Sequence, residues 1–265
     1  MRYLKTLGLL AVAALAMSAM LASTASAEGA KGTFTAGATP ETHNPATIVG
    51  DQYPDPPSAA EEWNFFSRGG SENLVRCDTA KFTGTDADGI ATSLTINPDY
   101  THCFIQEPDG GTLPATVTMN ECDYVFTQPT TIAPLGTGKY SGKADLTCKG
   151  TSRIVIHVYG FGNSTNTSHF FNACTIEVYP NAAEVGGHRT QELGGHIVYQ
   201  NLAEGKDDVT VSGTVNQITS STNCPGEAAH DANGEYRSTV TVKAFKDEVN
   251  KHNEQLDTWI SDEEE

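Results

Sequence analysis

Two copies of one short pattern combine glutamate and histidine in a way that suits a metal site. Glu184 and His188 bound the first copy, and Glu192 and His196 bound the second, each with two glycines before the histidine. Carboxylates and imidazoles are common ligands of zinc and copper, and glycines let the backbone turn sharply enough to bring such groups together. The alternative is a glycine-rich connection into a strand, in which the two histidines lie roughly 26 Å apart.

Other residue combinations with catalytic or metal-binding chemistry are incomplete. The segment 86–89 (D-A-D-G) begins like a calcium loop, but the strand-like run 93–96 occupies the positions of the later oxygen ligands. We interpret 86–89 as the polar tip of a hairpin. His230, Asp231 and Ser238 have the residue types of a serine hydrolase triad, but no G-x-S-x-G motif is present. The sequence therefore assigns no catalytic residue and no cofactor.

The six cysteines are even in number and contain no C-x-x-C pair, which favours disulfides over redox catalysis or structural zinc. Their spacing leaves the connectivity open, although Cys103 and Cys122 flank one predicted strand and are the expected local pair. One set adds Cys148–Cys174 and Cys77–Cys224 to Cys103–Cys122, and the other adds Cys77–Cys148 and Cys174–Cys224. Each bridge is expected to stabilise the fold by roughly 2–4 kcal/mol.

The N-terminal segment has the pattern of a secretory signal peptide over residues 1–27. Two basic residues precede an apolar run from Leu7 to Leu21, and the small residues 25–27 (A-S-A) follow. These are the three parts of a cleavable export signal, so we expect cleavage after Ala27 and a secreted, extracellular protein. No later stretch approaches the roughly 20 apolar residues of a membrane span, so we expect no membrane anchor after cleavage.

The chain of 265 residues is acidic, with 16 Lys and Arg against 33 Asp and Glu and a net charge of −17. This charge repels phosphate backbones and anionic lipid headgroups, which argues against nucleic acid and a membrane surface as partners. The expected partner is an extracellular ligand, either carbohydrate or protein. The sequence does not indicate an oligomeric state.

Short runs rich in Thr, Val, Ile and Tyr alternate with turns rich in Gly, Asn, Asp and Pro along most of the chain. Many short strands at near-regular spacing predict an all-β, antiparallel, β-sandwich-like fold. Strand candidates at 33–36 and 46–49 and a Pro-rich loop fill residues 28–70. Two motifs recur at an offset of nearly a hundred residues, so we predict related β units over 71–149 and 150–245.

The acidic C-terminal segment, residues 246–265, differs in period from the rest. Its apolar residues, together with Phe245, fall near one helical face, which predicts a short helix, or otherwise a disordered tail.

The order of several motifs resembles a group of uncharacterised secreted bacterial proteins. The motifs are Cys77 with 82–84 (F-T-G), 97–100 (N-P-D-Y) before Cys103, 114–124 (P-A-T-V-T-M-N-E-C-D-Y), Cys148, Cys174 and Cys224-Pro225. The resemblance covers most of residues 33–245 and implies an exported, cysteine-bearing β fold. No activity, ligand or catalytic residue is implied with it.

These observations favour a secreted, disulfide-stabilised β protein that acts as a non-catalytic extracellular or cell-envelope interaction module. One alternative is a secreted hydrolase acting on polysaccharide, whose paired carboxylates the sequence does not single out. The other is a divalent-metal-binding protein that uses the two Glu/His patterns.

Overall fold

A computed structural model describes residues 32–38, 42–52, 66–67, 74–106, 111–131, 139–161, 170–180, 183–202, 206–215, 218–220, 234–246 and 255–262. The signal-peptide segment, the Pro-rich loop at 53–57 and Cys224 lie outside these residues. The described part is all-β and antiparallel, which confirms the predicted fold class. It contains no helix long and apolar enough to cross a membrane.

Seventeen strands form in the described residues. They are β1 (Gly32–Gly37), β2 (Ala46–Gln52), β3 (Phe66–Ser67), β4 (Leu74–Asp86), β5 (Ile90–Ala91), β6 (Ser93–Gln106), β7 (Thr112–Thr118), β8 (Cys122–Thr131), β9 (Lys139–Lys149), β10 (Ile154–Phe161), β11 (Phe170–Val178), β12 (His188–Glu192), β13 (Gly194–Leu202), β14 (Lys206–Val215), β15 (Ile218–Ser220), β16 (Gly234–Lys246) and β17 (Gln255–Asp262). The strands predicted at 33–36 and 46–49 are β1 and β2.

The period-2 burial expected of half-buried strands is clear in β10. Ile154, Ile156 and Val158 are at most 1% exposed, whereas Val155 and His157 between them are half-buried. Successive side chains of a strand point to opposite faces, so this alternation places one face of the strand in the core.

Eight of the strands form a closed antiparallel sheet. In order around the ring they are β2, β4, β6, β8, β9, β13, β14 and β16, and β16 pairs back with β2. Closing the sheet removes the unpaired edges of these strands and creates an interior lined by every second side chain. Strands from both predicted β units contribute to this one ring.

A second set of strands extends the sheet on one side. The C-terminal part of β6 pairs with β7, which continues through β10 and β11 to β15. The buried residues of β10 pack in the same core cluster as the cysteines of β4, β6, β8 and β9.

One end of the closed sheet is covered by the first and last described strands. β1 pairs antiparallel with β17, and all six residues of β1 are buried. The Asn201 side chain fixes β17 to the ring, accepting from Ile260 N–H at 2.9 Å and donating to Ile260 C=O at 3.0 Å. Leu256 pairs with Ala244 of β16.

The helix predicted near the C-terminus is wrong for residues 255–262, which form β17. Leu256 and Ile260 are buried, as even-numbered positions of one strand face. These residues form a strand and not a helix because the backbone groups along the edge of β1 need hydrogen-bond partners, and a helix cannot supply a ladder of inter-strand hydrogen bonds. Residues 247–254 and 263–265 lie outside the described residues.

The two described disulfides join directly opposed residues of neighbouring strands. Cys77 of β4 bonds Cys103 of β6, and Cys122 of β8 bonds Cys148 of β9. The predicted pairs Cys103–Cys122, Cys148–Cys174, Cys77–Cys224 and Cys77–Cys148 are therefore wrong. The strand register determines the pairing, because it places the Cα atoms of the two bonded pairs 3.9 and 4.1 Å apart. On the other side of β6, Cys103 lies opposite Ala115 and not opposite a cysteine. Cys174 is also disulfide-bonded.

Candidate functional site

The interior of the closed sheet contains a cavity of about 70 Å³. Its wall is largely apolar, because the inward-facing positions of β2, β4, β6, β8 and β16 carry aliphatic and aromatic side chains. Ile48, Phe82, Leu94, Phe126 and Val240 are examples. Protein interiors are packed tightly enough that voids larger than a water molecule are few. An enclosed apolar space of this size is therefore the main candidate site of the described residues.

Tyr199 forms one side of this cavity and is held by close packing. Its ring lies over Gly142 of the neighbouring strand, where any Cβ atom would overlap the ring. Phe34 of β1 contacts the ring edge-to-face at a centroid distance of 5.2 Å, and the hydroxyl donates to Lys143 C=O at 3.4 Å. Tyr199 thus links β1, which covers the end of the closed sheet, to the strands β9 and β13 of that sheet.

Three buried tyrosine hydroxyls meet beside the cavity. The Tyr100 hydroxyl lies 3.3 Å from that of Tyr124 and 3.0 Å from that of Tyr236. Burial raises the pKa of Tyr100 and Tyr124 well above the usual value, and it raises the pKa of Tyr236 to about 12. The hydroxyls therefore stay neutral and satisfy one another inside an apolar core.

These tyrosines predict a steep loss of stability in alkali. In the unfolded chain a tyrosine ionises near pH 10, whereas in the fold burial raises the pKa of Tyr100, Tyr124, Tyr199 and Tyr236. The stabilisation is complete below about pH 10 and is lost as the pH rises towards the folded values. We expect phenolate absorbance from these residues to appear together with loss of the β-sheet circular dichroism signal. Ionisation of all four in a protein with native dichroism would contradict this prediction.

Asp86 is a carboxylate at the covered end of the cavity. It ends β4 opposite Ala46, is only 4% exposed and lines the cavity. Burial raises its pKa, although backbone hydrogen bonds from Asp88 and Gly89 oppose that effect. The Asp88 N–H lies 3.3 Å from Oδ1, and Gly89 has a φ of 72°. Residues 87–89 therefore connect β4 to β5, as the hairpin interpretation predicts, but Asp86 is buried instead of lying at an exposed polar tip.

The two Glu/His patterns do not come together along the backbone. His188 pairs with Lys149 of β9, whereas Ile197, next to His196, pairs with Gly142 seven residues further along the same strand. At about 3.4 Å per residue these positions are about 24 Å apart. The side chain of His196 lies outside the described residues. The described residues contain no group of three or more potential metal ligands.

Each pattern has a local role in the backbone. In the first, Gly186 and Gly187 have φ angles of 60° and 82° and form a two-residue turn closed by hydrogen bonds between Val185 and His188. Such a turn requires positive φ at both central residues, which glycine adopts without strain. Glu184 and His188 are exposed beside it. In the second, the glycines begin β13, and Glu192 forms an exposed ion pair with Lys143 at 3.3 Å.

Sequence reasoning did not find the cavity or its polar groups. Tyr100 and Tyr124 are 24 positions apart on the paired strands β6 and β8, whereas Tyr236 is 136 positions from Tyr100 and joins them only when the sheet closes. A signal was present, since each lies at an inward position of an alternating strand, but the sequence does not show which strands are neighbours. No protein-family model, curated protein or solved structure matches the chain.

Proposed function

We propose that this protein is exported and non-catalytic, and that it binds a small, largely apolar ligand inside the closed sheet. The signal-peptide pattern over residues 1–27, with cleavage after Ala27, supports export. The disulfides fit an oxidising compartment such as the extracellular space. The protein would act there as an interaction module whose partner is a small molecule.

The observation that carries this proposal is the apolar cavity at the centre of the ring. Ligand sites in proteins are typically concave and apolar, with a few polar groups that fix orientation. Here the polar side chains are Thr35, Asp86 and the tyrosines, set in an otherwise hydrocarbon wall. An apolar cavity of roughly 150 Å³ binds benzene or xenon, so a space about half that size suits a very small ligand, or a larger one after side-chain movement.

The wall also favours binding over hydrolysis. Glycoside hydrolysis needs two carboxylates about 5 to 10 Å apart. Among the described lining residues, Asp86 is the one carboxylate. The separation of His188 from the second Glu/His pattern likewise gives the metal-binding alternative no convergent ligands in the described part of the chain.

Binding of small neutral molecules tests the proposal. The purified mature protein would be titrated with xenon, cyclopentane, ethanol, isobutanol and benzyl alcohol, and followed by NMR and by thermal unfolding. We expect saturable shifts at amides around the cavity and a rise in Tm with ligand concentration, because a ligand that binds only the folded state stabilises it. If none of the probes, xenon included, gives a saturable shift, the proposal is overturned.

A matched pair of variants locates the binding. Val240→Ile adds one methylene group at the cavity wall, whereas Val158→Ile adds the same group to a fully buried position of β10 that does not line the cavity. We expect Val240→Ile to weaken xenon binding and Val158→Ile to leave it unchanged, with both variants compared at a temperature at which they are folded. Equal effects of the two changes would place xenon outside the cavity.

A further inference from the structure

The cavity wall is unusually rich in aromatic rings. One comes from the covering strand β1 and the others from strands of the closed sheet: Phe34, Phe82, Tyr124, Phe126, Tyr199 and Tyr236. An aromatic ring attracts a cation that lies over its face, most strongly where water is excluded, so a wall with several rings offers positions for such a contact.

A buried carboxylate lies against the same space and makes no ion pair with a described residue. Among the described residues, no lysine, arginine or histidine nitrogen lies within ion-pair distance of Asp86. A carboxylate has about four acceptor positions, and the turn N–H groups of Asp88 and Gly89 occupy part of that capacity. The exposed side chains of Asp88 and His43 act on the Asp86 carboxylate in opposite directions, Asp88 raising its pKa and His43 lowering it.

Two further properties favour a positive ligand over a neutral or negative one. Burial raises the pKa of Asp86, which means that the ionised form is held at a cost that a bound cation would offset. The net charge of −17 also attracts cations from solution and repels anions. Retention of a costly buried carboxylate is typical of binding and catalytic sites.

We propose that the cavity binds a small organic ammonium ion, with its ammonium group on the carboxylate of Asp86 and against the neighbouring aromatic rings, and its alkyl or aryl part along the rest of the apolar wall. This inference rests on the proposed function and names the ligand class of the same site. A metal ion fits the site poorly, because Ca²⁺ needs six to eight oxygen ligands and the wall is mostly hydrocarbon.

The test uses ligands that share a skeleton and differ in charge. Ethylamine, isobutylamine and benzylamine would be titrated at neutral pH beside the corresponding alcohols, with isobutyrate as the anion. We expect each amine to bind roughly tenfold more tightly than its alcohol, the gain typical of a partly desolvated cation at aromatic rings and a carboxylate. Isobutyrate should bind more weakly than isobutanol.

Asp86→Asn is the decisive variant, because the amide oxygen of asparagine still accepts the Asp88 N–H that supports the turn. We expect it to abolish the preference for the amine, so that the amine and the alcohol of the same skeleton bind with similar affinity. It should also raise Tm at neutral pH, and this difference should vanish in acid, where Asp86 is protonated in both folded and unfolded chains. Asp51→Asn, at the other end of β2, serves as the charge-matched control.

The outcomes separate the two proposals. Equal binding of amines and alcohols, or an amine preference that survives in Asp86→Asn, overturns the ammonium inference while the apolar site stands. Failure of every neutral and charged probe overturns the proposed function itself.

Discussion

Replacing Cys77 and Cys103 together by alanine will lower the free energy of unfolding by about 3.5 kcal/mol at 25 °C. The two residues are 26 positions apart, and a cross-link that closes a loop of this length restricts the unfolded chain by about that amount. For a chain of this size the loss corresponds to a fall in Tm of roughly 7–14 °C. Chemical denaturation and calorimetry of the oxidised protein measure both quantities.

The second disulfide provides a matched comparison. Cys122 and Cys148 are also 26 positions apart and also join neighbouring strands, so the same double replacement there should cost the same within about 1 kcal/mol. Cysteines at both sites are at most 5% exposed, which shields the bridges from reductants in the folded state. A cost below about 1 kcal/mol for either pair would contradict the prediction.

Tyr199→Ala is expected to destabilise the protein by roughly 3–5 kcal/mol, the usual cost of removing a large buried ring. The side chain is 1% exposed, and its loss would join the space above Gly142 to the cavity and remove the contact with Phe34. Urea unfolding measures the change.

Tyr199→Phe is the matched control for that substitution. It keeps the ring and removes only the hydrogen bond to Lys143 C=O, so it should cost about 1 kcal/mol. Since Tyr199→Ala enlarges the cavity, it should also admit benzene-sized probes more readily than the unmodified protein. Equal costs for the two variants would show that ring packing is not what holds the covering strand.

The class of the fold could be predicted from local patterns, because alternation and turn residues act over a few positions. The D-A-D-G pattern of 86–89 predicts the connection between β4 and β5 for the same reason, but it does not predict that Asp86 is buried. Disulfide pairing was not predictable in this way. Cys77 lies opposite Cys103 because β4 and β6 are neighbours, and nothing within either strand states that register.

Long-range pairing also explains the other differences. The apolar residues of 255–262 fit both a helical and an extended pattern. They form a strand because they pair with β1, which lies more than two hundred residues earlier in the chain. The cavity depends on closure of the ring, since Phe82, Tyr199 and Val240 enclose a space only once β16 pairs with β2. The glycines of the two Glu/His patterns have structural positions instead, since Gly186 and Gly187 form a turn with positive φ and Gly194 and Gly195 begin β13.

The closure of the ring by β2 and β16 has a consequence for how quickly the protein reaches its native state. Ala46 pairs with Lys246, so the last step of closure must bring together segments from nearly opposite ends of the chain. Contacts of such high sequence separation slow folding, whereas the pairs β4–β6 and β8–β9 need only short loops. The hairpins that carry the two disulfides are therefore expected to form first, and the cavity to exist only after the slowest step.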